Sequence, residues 1–285
     1  MSAVRCLPAA RTTPVDCARI GRLAVASLHS ELACTPKPGL VTPFDTGSHD
    51  DMDAATFLRS LFALRHYFTA MAREGAAGAR FDVLRAHGIA AEATMLRATG
   101  GINTHRGAIF SLGLLVAASA GCRRVHGHPA TAAQVCLAVA QWKQALGAAP
   151  LNPHSPGQRA RALHGVAGVR EQAMDGYPIL RELALPALRH ALDNGLPHEA
   201  AQCHTLMQLV AQVDDLNLLH RGGLEGLRWA QQQAAAFVSS GGAFAPGWRV
   251  RLQCIGEAFA ARRLSPGGSA DLLACAWFLL RQEVA

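Results

Sequence analysis

The chain has 285 residues, 50% of them hydrophobic and only 16% charged. That balance fills a sizeable core and excludes disorder over most of the length. Basic residues outnumber acidic ones 27 to 20, and the net +7 suits anionic partners without choosing among them.

Residues 1–13 read as a flexible N-terminal tail with no apolar run long enough for a secretory signal. Beyond them Ala and Leu dominate, β-branched residues are sparse, and apolar positions recur three and four apart. A first helix is expected over Pro14–Ala33. A second carries the stripe Phe57, Leu58, Leu61, Phe62, Leu64, Tyr67, Phe68 and Met71, with Asp51 and Asp53 near its first turn. Further helices are predicted over Phe81–Ala98, Gly107–Ala118, Thr131–Leu146, Gln158–Met174 and Pro178–Ala191. The last four are His198–Val213, Leu224–Ser239, Trp248–Arg262 and Gly268–Gln282. Nothing alternates with period two for long, and no internal repeat or domain linker interrupts the chain. The expected fold is all-α, a single helical domain over 14–285. The longest apolar stretch, Ala108 to Ala120, is too short to span a bilayer, so no membrane is expected. Eight scattered cysteines without a CxxC pair fit reduced thiols in the cytoplasm better than disulfides or a zinc ribbon.

Four segments carry more polar and glycine chemistry than helix packing explains. In the first, from Glu31 to Val41, prolines on either side of Lys37 predict an extended backbone that holds the lysine out. The following His49-Asp50-Asp51 cluster offers oxygens for Mg²⁺ or a base for a hydroxyl; equally, it can be a helix cap with dipole-favouring acids. The second segment, Ala98 to Gly107, runs glycines, Asn103, Thr104, His105 and Arg106 straight into an apolar helix. That pattern suits phosphate, although it is no Walker loop. In the third, Asp214-Asp215-Leu216-Asn217 closes one helix and Arg221-Gly222-Gly223 opens the next, an arrangement suited to metal plus phosphate. The fourth, Ser265 to Leu273, reads by spacing alone as a Ser-Pro turn and helix cap. His198-Glu199 lacks the second histidine of a zinc motif, and 6% aromatics without an interleaved basic stripe argue against nucleic acid.

Taken in order, these segments resemble the triphosphoribosyl-dephospho-coenzyme-A synthase family from about Ala24 to Leu280. The matching stretches include Glu31 with Pro36-Lys37-Pro38-Gly39-Leu40-Val41, then Gly47, His49, Asp51 and Met52, and Glu92 with Met95. They continue with Asn103-Thr104-His105, Gly107 to Gly113, Gly176-Tyr177-Pro178, Ala184-Leu185-Pro186, Asp215, Asn217, Arg221-Gly222-Gly223 and Ser265 through Leu273. Arg106 stands where the family has lysine, which keeps the charge but changes the geometry. The family's Asp-Thr-Asn reads Asp215-Leu216-Asn217, and its Arg-Gly-Glu-Ala reads Arg170-Glu171-Gln172-Ala173, which loses an acid at Gln172. Pro43 to Thr56 looks nearer the malonate-decarboxylase branch than the citrate-lyase branch.

The resemblance implies a transferase that joins ATP to 3′-dephospho-CoA and releases adenine. Its product would be the prosthetic-group precursor of an acyl-carrier subunit, passed to a downstream prosthetic-group transferase. It implies Mg²⁺ at Asp51 and Asp215, and a triphosphate held by Lys37, Arg106 and Arg221. Glu31, His49 and Glu92 compete for the base and ribose-contact roles. Further substrate contacts would come from Gly101, Asn103, Thr104, His105, Asn217, Gly222, Gly223, Gly267, Gly268 and Asp271. Two rivals stand beside this reading: an all-α Mg²⁺-dependent nucleotide or ADP-ribose glycohydrolase, and a non-catalytic binder of a carrier subunit.

Overall fold

The structure, a computed structural model, describes residues 14–150, 163 and 165–284. It is all-α, with no strand among the described residues. Helices α1 (Cys17–Ala33), α2 (Ala54–Ala76), α3 (Phe81–Thr99) and α4 (Arg106–His126) form the first half. Short helices α5 (Ala132–Val139), α6 (Lys143–Ala148), α7 (Val169–Met174) and α8 (Leu185–Asp193) follow. The chain ends with α9 (His198–Gln212), α10 (Leu216–Ser239), α11 (Trp248–Ala261) and α12 (Gly267–Glu283). The expected tail, 1–13, and the start of the expected Gln158–Met174 helix lie outside the described residues.

Most of the predicted stripe on α2 turns inward: Leu61, Leu64, Tyr67, Phe68 and Met71 are buried and Phe57 is half-buried, whereas Leu58 and Phe62 fall on the edge of the stripe and are exposed. Asp53 starts that helix as its cap, its Oδ1 accepting the Thr56 N–H at 2.8 Å. α4 runs through the middle, packed on α1, α2, α3, α5 and α12, and every residue from Ser111 to Ala120 is buried. At 21 residues it is longer than expected, and its length and composition alone would let it cross a membrane. Sixty-seven per cent of its most apolar window is buried inside the protein, so it reads as a core helix. Each fully buried Leu or Phe of this core contributes about 1.5–3 kcal/mol.

Two expected helices break and a third begins early, each for a physical reason. The predicted Thr131–Leu146 helix divides at a tight 3₁₀ turn, Ala140–Trp142, into α5 and α6. Pro186 has no N–H to return to Glu182, and the chain enters α8 through a wide π turn, Leu180–Ala184. α10 begins eight residues earlier than Leu224, because Asp215 caps it, and then kinks at Gly223 (φ 61°, ψ −165°). The Asp215 segment therefore opens a helix rather than closing one.

Candidate functional site

One cavity of about 960 Å³ collects residues from all four polar segments. Its polar wall takes Glu31 and Lys37 from the end of α1 and the loop behind it, and His49 from the loop before α2. Glu92 comes from α3, while Asn103, Thr104, His105 and Arg106 come from the start of α4. The opposite side is built from Asp215, Asn217 and Arg221 of α10 with Gly267, Gly268 and Asp271 of α12. The remaining wall is apolar, with Phe57, Met71, Leu84, Ile109 and Leu146 among its members. Asp51, Gly101, Gly222 and Gly223 do not line it.

Lys37 departs from the expectation that it is held out. Its backbone opens a turn, its carbonyl accepting the Leu40 N–H at 3.2 Å, and its side chain is buried and folds back onto α1, donating to the Glu31 carbonyl at 2.7 Å and to Glu31 Oε1 at 2.5 Å. Carbonyls of a last helical turn lack partners and carry partial negative charge, so a nearby ammonium is drawn to them. The Glu31 carboxylate adds a full charge to that attraction.

Asp215 also differs from a free metal ligand. Oδ1 accepts the Asn217 N–H at 2.9 Å and the Leu218 N–H at 3.4 Å, which starts α10. Oδ2 accepts the Ser269 N–H at 2.7 Å and its hydroxyl at 2.9 Å, which starts α12. One buried carboxylate thus caps two helices. Burial raises its pKa, and the four donors work against that rise. The approach is close: a Cβ on Gly268 would stand 3.1 Å from Oδ2, so the glycine serves the chain's own carboxylate.

At the mouth, Arg221 donates to the carbonyls of Ser48 and Arg263, each at 3.0 Å, and to His49 Nδ1 at 3.0 Å. A guanidinium only donates, so Nδ1 accepts, and the ring proton sits on Nε2 facing Ser265 Oγ at 3.0 Å. Burial and then Arg221 lower the His49 pKa, with Asp51 opposing them, and both ring nitrogens are engaged. Asp51 itself lies 3.7 Å from His49, its side chain 61% exposed. Arg106 pairs with Glu92 at 3.1 Å, both about one-third exposed, while Asn103 Oδ1 caps the Arg106 N–H. His105 is buried, its Nδ1 bonded to Ser60 Oγ at 2.7 Å, and its Nε2 has no partner among the described residues. Burial, helped by the Lys37 charge, pushes its pKa down to about 3.

Asp271 sits in the first turns of α12, facing the cavity against the start of α4. A Cβ on Gly107 would fall 2.0 Å from its Oδ2, so only glycine leaves room for the carboxylate there. The nearby Ala108 N–H favours its ionised form. Burial, then the charges of Glu31 and Asp215, raise its pKa well above the usual carboxylate range.

Sequence reading passed over Arg85 and His220, which also line the cavity. Arg85, Ile89 and Glu92 recur at helical spacing on one face of α3, a signal that was available. Gln172, at the position where the acid is lost, lines the wall and accepts the Ile179 N–H at 3.4 Å.

Among the described residues no three His, Cys, Asp or Glu side chains gather closely enough to hold a metal ion. Asp215 is occupied as a cap, and Asp51 stands out in solvent.

Guanidinium groups and a helix N-terminus around buried carboxylates, backed by an apolar wall, make a cavity for an anionic substrate with a bulky uncharged part. The chain belongs to the ATP:dephospho-CoA triphosphoribosyl transferase family, whose model it matches over residues 17–285, and it is an enzyme of that class. It is 40% identical over 267 residues to a "probable 2-(5''-triphosphoribosyl)-3'-dephosphocoenzyme-A synthase" of Citrobacter koseri, covering 90% of this chain and 88% of that one. A 2-(5''-triphosphoribosyl)-3'-dephosphocoenzyme-A synthase of Klebsiella pneumoniae is 39% identical over 280 residues, covering 94% and 92%. No solved structure matches the chain.

Proposed function

We propose that the chain joins ATP to 3′-dephospho-CoA, with ATP losing adenine rather than phosphate. The observation that carries this reading is the convergence of the four segments on one cavity, in a chain of this family. The 2′-hydroxyl of the dephospho-CoA ribose bonds to the anomeric carbon of ATP. The ribose–adenine bond breaks, adenine leaves with the electron pair and picks up a proton, and the triphosphate stays on the product.

The chain's own residues divide that work. Arg106 and Arg221 at the mouth hold the triphosphate as a handle, so its binding energy positions the anomeric carbon. Asn103, Thr104 and Asn217 supply neutral polar contacts, and the unpartnered His105 Nε2 is left for the substrate. Lys37 acts from behind through Glu31 rather than by touching phosphate. The carboxylates around the cavity favour positive charge building on the ribose. We keep Mg²⁺ with the triphosphate rather than with the protein: that ion retains waters and substrate oxygens and needs only one or two carboxylates, for which Asp51 is the candidate.

For the finer assignment, the stretch from Pro43 to Thr56 supports a product destined for the acyl-carrier subunit of malonate decarboxylase. A downstream prosthetic-group transferase would be the next partner, and the setting would be cytoplasmic. The test is incubation with ATP and dephospho-CoA. Free adenine should appear in step with a coupled product carrying the ribose and all three phosphates. Stoichiometric pyrophosphate in place of adenine overturns the reading, and turnover of ATP without dephospho-CoA favours a glycohydrolase.

A further inference from the structure

The proposed transfer needs a group that takes a proton from the attacking hydroxyl, and most acids and bases on the cavity wall are already committed. Glu31 is locked to the Lys37 ammonium at 2.5 Å. Glu92 pairs with Arg106. His49 accepts from Arg221 on one nitrogen and meets Ser265 on the other. Asp215 takes four hydrogen bonds as a double cap. Asp214 is exposed and shares a long contact with Gln231. Asp271 is different. It lines the cavity, lies against the backbone of Gly107 and Ala108, and has no cation paired with it among the described residues.

We propose that Asp271 is the catalytic base, its carboxylate accepting the proton of the attacking ribose 2′-hydroxyl as that oxygen bonds to the anomeric carbon of ATP. The inference rests on the transferase reading above. Electrons and protons balance: the new C–O bond forms, the C–N bond to adenine breaks, and the electron pair leaves on adenine. The proton taken by Asp271 passes to the departing base, which restores the carboxylate and releases neutral adenine. The position also places a negative charge beside the carbon that becomes electron-poor.

The surroundings strengthen Asp271 as a proton acceptor. Glu31 on α1 and Asp215 at the start of α10 face Asp271, and Cys275 lies one turn further along its own helix. The Ala108 N–H at the start of α4 opposes the two acids. Repulsion and burial together raise the proton affinity of Asp271, and a carboxylate so raised is a stronger acceptor than a solvated one.

The test uses the full chain, with adenine release and ATP binding measured separately. Asp271→Asn keeps the size and removes the proton acceptor, so kcat should fall by about 10²–10⁴ while ATP affinity stays near wild type. In the wild type kcat should fall as pH drops through the Asp271 pKa, and that acid limb should vanish from the residual activity of the variant. Gly107→Ala is the second arm. It pushes the carboxylate aside without changing its chemistry, and should cut kcat while sparing ATP binding. A kcat near wild type in both variants, or a loss that lies in ATP affinity instead, overturns the assignment. If Asp271→Asn does not fold, Gly107→Ala decides. Wild-type enzyme that releases no adenine overturns the transferase reading; a wild type that releases it alongside fully active variants overturns only the base.

Discussion

The inner wall of the cavity and its mouth use the same residue types for different ends. Inside, Glu31–Lys37 and Asp215 are buried, and their partners are backbone groups of helix ends as well as side chains. At the mouth, Arg106–Glu92 and His49–Asp51 are partly exposed pairs. A charge buried beside its partner costs a great deal to strand, whereas an exposed one is compensated by water. The interior pairs therefore hold helices in place, and on the proposed function the rim pair Arg106–Glu92 exchanges one partner for a phosphate. The comparison turns on burial, and each half can be broken separately.

The largest effect is expected inside. Lys37→Met leaves the Glu31 carboxylate buried and unpaired, which costs about 3–5 kcal/mol of stability in urea denaturation. Adding Glu31→Gln should recover much of the loss, because the stranded charge is then gone. A single variant as stable as wild type would move Lys37 to the rim class, as a residue free to meet phosphate.

The mouth should respond in kinetics instead. Arg106→Ala should weaken ATP use by roughly ten- to a hundredfold, the ~1.5–3 kcal/mol of a charge-assisted hydrogen bond. Its melting temperature should stay close to wild type, since the pair it breaks is one-third exposed. A large drop in stability with unchanged kinetics would reverse the comparison.

Histidines sharpen it further. His105, with its pKa pushed down to about 3, stays neutral in the folded chain at pH values where the unfolded chain binds a proton. Its contribution to stability is therefore intact above about pH 6.5 and declines by ~1.4 kcal/mol per unit as pH falls toward the folded value. The gap in unfolding free energy between wild type and His105→Gln should narrow across that range. A constant gap would mean that His105 titrates normally and is not sealed off. The raised Asp215 and Asp271 act in the opposite sense, losing their contribution as pH rises, so the difference between variants is the quantity to follow.

Local chemistry was legible in the sequence, and distant partners were not. The Phe57–Met71 stripe and the acids before it are settled within a few residues of themselves: most of the stripe is buried, with Leu58 and Phe62 left outside, and Asp53 takes the cap position rather than the first turn. The polar character of all four segments could be read as well. What spacing could not supply is a partner far along the chain. Asp215 meets Ser269, 54 residues away, and that contact changes it from a candidate metal ligand to a cap for two helices. Lys37 shows the same limit at short range: the prolines fix its backbone, but the side chain answers to the end of α1. Spacing alone makes Ser265–Leu273 a turn and helix cap, and it cannot show that Asp271 packs against Gly107.

The smallest effect belongs to Asp51, and it tests where the metal sits. The side chain is 61% exposed and 3.7 Å from His49, so Asp51→Asn should change unfolding free energy by no more than about 0.5 kcal/mol. It should also lower the His49 pKa further, because Asp51 is the strongest influence that raises it. With the metal carried by the triphosphate and one protein carboxylate at most, loss of that carboxylate leaves the phosphate oxygens in place. The variant should then need more Mg²⁺ for half-maximal adenine release and regain near-wild-type kcat when Mg²⁺ is saturating. An unchanged Mg²⁺ requirement would return Asp51 to the solvated rim and leave the ion to the phosphates alone. A kcat that stays low at saturating Mg²⁺ would place Asp51 inside the working site, and the division between wall and mouth would have to be redrawn around it.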